Sequence, residues 1–141
     1  MYHKFKNLMK NNIIWQDSYK TGNKIIDQQH EKLFELANQV VDPANDPQKT
    51  HLNLLALQHY VKVHFADEEK IMQQYSIPDY SAHVAEHRDL LRQLDEIGTE
   101  IITNELRVDE IMKRMQSWLF DHFVKRDLSL AKYLRDEDAR E

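Results

Sequence analysis

His64 and Glu68 stand four residues apart, and so do His83 and His87. On a helix that spacing puts both side chains of a pair on one face, one turn apart, so both can reach a single ion. Neutral imidazole and carboxylate are ligands for zinc, iron, copper, nickel or manganese. His30 and His122 add two further imidazoles from distant parts of the chain. The five histidines and Glu68 fall in stretches that otherwise read as buried, where polar side chains are rare without a partner. The chain has no cysteine. Disulfides, thiolate metal sites, iron–sulfur clusters and a cysteine nucleophile are thereby excluded.

The elements that must carry these residues are helices. Only 2 glycines and 3 prolines punctuate 141 residues, a composition that suits long helical runs in one domain. Residues 1–22 lack sustained periodicity and form an irregular arm ending at Gly22. A first helix is expected from Asn23 to Val41, broken by "DPANDP", where Asp46 caps and Pro47 opens the second. The second runs to Tyr75, and "SIPD" then marks a turn with Asp79 as the next N-cap. The third continues to Thr103 and the fourth covers Val108 to Arg126. "LSLAKYL" reads as a short amphipathic tail helix, followed by a solvated "RDEDARE".

Each helix carries a stripe of three- and four-residue steps, the mark of a bundle seam. The stripes run Ile26–His30–Leu33–Ala37–Val40; Leu54–Leu57–Val61–His64–Glu68–Ile71–Tyr75; Tyr80–His83–His87–Leu90–Leu94–Ile97–Ile101; and Ile111–Met115–Trp118–His122. Short connections make sequential helices antiparallel, so the expected fold is all-α: an up-down-up-down four-helix bundle with an N-terminal arm and a C-terminal tail helix. His30 opens its helix, His64 and Glu68 approach the end of theirs, His83 and His87 open the third, and His122 closes the fourth. At about 1.5 Å per residue all lie within roughly two to three turns of the same bundle end.

Five histidines with Glu68 exceed what one tetrahedral zinc can use. Two six-coordinate ions sharing bridging carboxylates would also occupy a seventh ligand. Asp127 is a candidate, but it follows His122 by five residues, about 140° around a regular helix. It can join only if the helix end loosens or bulges. A ferritin-like carboxylate site needs Glu-x-x-His pairs; no histidine has glutamate three residues before it, and only Asp27 precedes His30.

In order along the chain, "GNKIIDQQHEKLF", "HFADEEKIM", "YSAHVAEHRDLL" and "WLFDHFVKRD" resemble the motif set of the hemerythrins, specifically the single-domain bacterial type, from about Trp15 to Tyr133. The resemblance implies an oxo- or hydroxo-bridged non-haem di-iron centre that binds dioxygen reversibly. It implies that His83, His87 and His122 hold one iron and His30 and His64 the other, with Glu68 and Asp127 bridging. Leu119 matches the apolar residue lining the oxygen pocket, and Trp118 is a further lining candidate. The implied role is an oxygen carrier or store rather than an enzyme. Alternatives are a di-iron oxidoreductase, or a sensor of oxygen or nitric oxide, built on the same centre.

The rest of the composition is permissive. Net charge is −5, and no basic stripe marks a nucleic-acid partner. No apolar run is long enough for a signal peptide or a membrane span, so a soluble cytoplasmic protein of one domain, residues 1–141, is expected. Several polar residues have bland readings. His3, His51 and His59 are expected at the surface, Glu69 and Glu86 in solvent, and Asp27 in an exposed ion pair. Trp15, Tyr75 and Tyr80 are expected to pack, and Gly98 sits inside a helix without a role.

Overall fold

The computed structural model describes residues 14–102 and 117–134, with residues 110, 113 and 114 between them. Every regular element among the described residues is helical. Helix α1 spans Lys24–Val40, α2 Pro47–Gln74 and α3 Tyr80–Ile102; a π-helical segment follows at Leu119–Arg126, and a 3-10 turn, Asp17–Tyr19, precedes them all. None of the described helices is long and apolar enough to cross a membrane.

Local chemistry sets the boundaries. Asn23 is the N-cap of α1, its side chain accepting the Ile26 N–H at 3.0 Å. Gly22 supplies the positive φ of 99° that turns the chain into it. Asp27 is not an exposed ion-pair residue. Its carboxylate accepts from Thr21 N–H at 2.7 Å, Thr21 Oγ1 at 2.9 Å and Gly22 N–H at 3.1 Å, folding the arm's last residues onto α1. Asp46 caps α2 by accepting the Lys49 N–H at 2.7 Å, with Pro47 first in the helix. Ahead of α3, Asp79 adopts a left-handed φ of 64° and its backbone carbonyl accepts the His83 N–H at 3.0 Å. That departs from the extended backbone usual at an N-cap.

Helices α1 and α2 begin and end, and α3 begins, within a residue of expectation, while the expected end of α3 at Thr103 lies outside the described residues. The last stretch differs: its described residues 117 and 118 are α-helical, but from Leu119 to Arg126 the winding is π. The expected start at Val108, and seam residues Ile111 and Met115, lie outside the described residues, as do His3 and residues 135–141. Residues 131–134 are helical, within the expected tail helix.

Helix α1 packs on α2 and α2 on α3. Their buried face is wider than a single stripe, since Phe34 and Phe65, each beside a seam position, are buried too. Met72, not Ile71, is the fully buried residue near the end of α2. Two apolar clusters result. The larger contains Leu33, Phe34, Leu57, Phe65, Leu94 and Phe123; the smaller contains Ile26, Met72, Ile77, Leu130 and Leu134. Each fully buried leucine or phenylalanine contributes about 1.5–3 kcal/mol. Tyr75 and Tyr80 pack against the smaller cluster as expected. Trp15 meets Phe34 edge-on, with ring centroids 5.3 Å apart. Gly98 has a structural use: a Cβ there would stand 3.3 Å from Leu54 Cδ2, so its absence lets α3 lie close on α2.

Candidate metal centre

Between the two apolar clusters lies one polar layer. Each element that crosses it contributes apolar residues above and below, and histidine or carboxylate at the level between. Helix α1 gives Ile26, His30, Leu33; α2 gives Val61 and Met72 around His64 and Glu68; α3 gives His83 and His87 between Tyr80 and Leu90; the last stretch gives His122 and Asp127 between Trp118 and Leu130. The structure brings all seven sequence candidates together, none of them more than 1% exposed.

They form two overlapping groups: Glu68, His83, His87 and His122, and His30, His64, Glu68 and Asp127, with the ligand atoms of each group within 4.8 Å of one another. The two oxygens of each carboxylate divide between the groups. Glu68 Oε1 lies 2.7 Å from His83 Nε2 and 3.2 Å from His87 Nε2, while Oε2 lies 3.3 Å from His64 Nε2 and 3.7 Å from His30 Nε2. Asp127 Oδ1 lies 3.1 Å from His83 Nε2 and 3.4 Å from His122 Nε2, and its Oδ2 lies 2.9 Å from His30 Nε2.

Asp127 reaches this layer through the π winding. Its backbone N–H donates to His122 O, five residues back. A bond of that span closes a π turn and returns the fifth residue to the face of the first, where an α-helix would leave it about 140° away. The bulge that the sequence required of Asp127 is present.

The imidazoles are aimed from outside. His64 donates from Nδ1 to Gln29 Oε1 at 2.7 Å, and Gln29 in turn donates to Asp67 Oδ2 at 2.7 Å. His87 donates from Nδ1 to Glu69 Oε2 at 2.8 Å, and His122 to Glu86 Oε1 at 2.9 Å. Arg126 Nε donates to the other Glu86 oxygen at 3.0 Å. With Nδ1 carrying the proton, each Nε2 turns a lone pair inward. Glu69 and Glu86 are therefore not solvated bystanders. Sequence reasoning also missed Gln29, although a signal existed: each of the three outer partners adjoins a candidate ligand on the preceding helix, Gln29 beside His30, Glu69 beside Glu68 and Glu86 beside His87.

Aromatic rings wall the layer. Phe65 stacks on His87 with centroids 3.7 Å apart and planes 6° apart. Phe123 lies 5.2, 5.5 and 5.0 Å from His30, His64 and His122. Neither phenylalanine stood out in the sequence, because both sit beside the stripe. Trp118 is buried 5.0 Å from Phe123 and, with His122, Leu90 and Ile97, borders a cleft of about 470 Å³. The side chain of Leu119 lies outside the described residues. His59 is exposed and His51 half-buried.

Burial alone would push His30 down, yet Asp127 and Glu68 outweigh it and hold it up at about 9. His83 is likewise raised to about 9 against its burial, by the same two carboxylates. Burial wins at His64, which is lowered. Glu68 falls well below the usual carboxylate range because four histidines outweigh its burial, and Asp127 is lowered by His122, His30 and His83 against burial and Glu68.

Hydrogen bonding within the layer is incomplete. His30 Nε2, His64 Nε2, His122 Nε2, Glu68 Oε2 and both Asp127 oxygens are buried without a hydrogen-bond partner among the described residues. His30 Nε2 and Asp127 Oδ2 approach to 2.9 Å without hydrogen-bond alignment. Buried polar atoms without partners are costly. Polar atoms that crowd together and miss one another converge on shared points between them, and this donor set fits a pair of metal ions.

The hemerythrin HHE cation binding domain family matches residues 21–134. The bacteriohemerythrin of Stenotrophomonas maltophilia is 26% identical over 125 residues, 87% of this chain and 82% of that protein. That of Methylococcus capsulatus is 32% identical over 104 residues, 72% of this chain and 79% of its own. A crystal structure of wild-type hemerythrin superposes with a TM-score of 0.76 at 27% identity, covering 87% of this chain and 98% of the other.

Proposed function

This chain belongs to the hemerythrin family, and from that premise we propose that it binds dioxygen reversibly at a non-haem di-iron centre, as a cytoplasmic carrier or store rather than an enzyme. The observation that carries the reading is the division of both carboxylates, one oxygen of Glu68 and of Asp127 facing each histidine group. On this reading His83, His87 and His122 hold one iron, His30 and His64 the other, and Glu68 with Asp127 spans both. The iron pair, when bound, supplies the electrons that hold dioxygen. The residues around it orient the ligands and keep water out: Phe65, Phe123 and Trp118 present rings, and Leu119 is assigned to the oxygen pocket with Trp118. The up-down-up-down arrangement, with an arm over residues 1–22 and a tail helix after residue 127, belongs to the same reading.

The test is iron content with the visible spectrum of anaerobically reduced protein, before oxygen, after oxygen, and after argon purging. About two irons per chain, with a band that appears with oxygen and leaves with argon, is the expected result. A band that decays to a stable ferric form and does not reverse would favour the oxidoreductase or sensor role over the carrier. His64→Ala or His122→Ala should reduce bound iron while His59→Ala should not; equal loss from all three would mean the site is misassigned.

A further inference from the structure

The two metal positions differ in what stands behind their ligands. In the group of His83, His87 and His122, two imidazoles are backed by carboxylates, Glu69 at 2.8 Å and Glu86 at 2.9 Å. In the group of His30 and His64, one imidazole is backed by the neutral amide of Gln29 at 2.7 Å, and His30 Nδ1 has no hydrogen-bond partner among the described residues. A carboxylate accepting the Nδ1 proton makes Nε2 a stronger donor to metal, and loss of such a partner costs roughly 10–100-fold in metal affinity. An amide accepts without bringing charge. Asp67 lies behind Gln29 at 2.7 Å, so its charge reaches His64 only through an intervening hydrogen bond. Glu86 is partly neutralised by Arg126 at 3.0 Å. Glu69 has no such cation among its contacts with the described residues, which leaves it the stronger of the two.

We propose that Glu69 and Glu86 are positioning residues that make the three-histidine position the tight one, so that the centre loads in order, the position of His83, His87 and His122 first and that of His30 and His64 second. The inference rests on the two-ion reading above. It goes beyond ligand number, because it assigns part of the affinity gap to the charge of residues that do not touch metal.

The experiment uses the full chain, stripped of metal, with cobalt(II) added stepwise and followed by visible absorption against a competing chelator. Wild-type protein should take up two ions per chain with distinct affinities, and His30→Ala should abolish only the weaker step. Glu69→Gln keeps an acceptor for His87 but removes the charge; the tight step should weaken about 10-fold or more while the weaker step moves little. Glu86→Gln should do the same by a smaller factor. Gln29→Met should weaken the second step and spare the first. Should Glu69→Gln and Glu86→Gln leave the gap between steps unchanged, or lower both steps equally, the proposed role of charge is overturned. Should wild-type protein fail to bind two ions at all, the two-ion reading itself fails, a result recognisable before any variant is made.

Discussion

Deletion of Lys125 tests why the chain is π-wound at the centre. Lys125 is exposed, and among the described residues its side chain pairs with the exposed Asp121 at 3.8 Å, a pair worth about 0–1 kcal/mol. Removing one residue lets the segment relax from π to α. Asp127 would then follow His122 by four residues rather than five, about 40° around an α-helix instead of about 140°. Residues beyond it travel as one unit, since Leu130 N–H bonds back to Asp127 O at 2.9 Å. The carboxylate therefore stays in the layer. Asp127→Ala is the contrast: it breaks a buried charge pair with His30, a loss of about 3–5 kcal/mol. Urea unfolding of the metal-free proteins, paired with iron content after loading, separates the two cases. The deletion variant should keep about two irons and stay within about 1 kcal/mol of wild type, whereas Asp127→Ala should lose both iron and stability. A deletion variant that behaves like Asp127→Ala would refute the claim that the π turn exists to present this carboxylate.

Two further outcomes follow from the same geometry. Phe65→Ala removes the ring stacked on His87 and should cost about 3–5 kcal/mol in denaturant unfolding, with or without metal. Stability of the metal-free protein should peak near pH 6.5, measured by urea midpoints across pH. The contributions of His30 and His83, raised to about 9, are complete below the ordinary histidine value of 6.5 and fade as pH rises through 9. The contribution of His64, whose value is lowered, fades as pH falls below 6.5, and those of Glu68 and Asp127 follow as pH falls below 4.5 and 3.8 respectively. A flat profile between pH 5 and 9 would contradict these shifts.

Legibility in the sequence tracked how local each cause was. Asn23, Asp46 and Pro47 act within a few residues of themselves, so helix boundaries could be read to about a residue. His64 with Glu68 and His83 with His87 announce themselves by spacing, because a helix converts i, i+4 into one face. Asp127 could not be read that way: its position depends on a π turn whose only local sign is an awkward interval of five. Glu69 and Glu86 were harder still. Their partners, His87 and His122, are 18 and 36 residues away, and a charged residue beside a seam looks the same whether it meets water or a neighbouring imidazole. Phe65 and Phe123 were hidden by the width of the buried face. Asp79 does stand at the start of α3, but its left-handed backbone could not be read, because a left-handed turn and an N-cap draw on the same residue types.

Protons stand in for metal when the layer is empty of it. Two buried carboxylates at one level would repel and be costly to desolvate. His30 and His83, held at about 9, are cationic at neutral pH and supply two positive charges against them. One of these histidines stands in each group of four. A histidine must be neutral to bind an ion, so each position must expel its proton as it fills. At pH 7, loading both positions should therefore release at least about two protons per chain, one with each step, apart from any lost by coordinated water. Calorimetry of cobalt(II) binding in buffers of different ionisation enthalpy measures that number directly. Release of fewer than about one proton per chain would mean that His30 and His83 are already neutral in the metal-free layer, and that Glu68 and Asp127 are balanced there by something other than imidazolium.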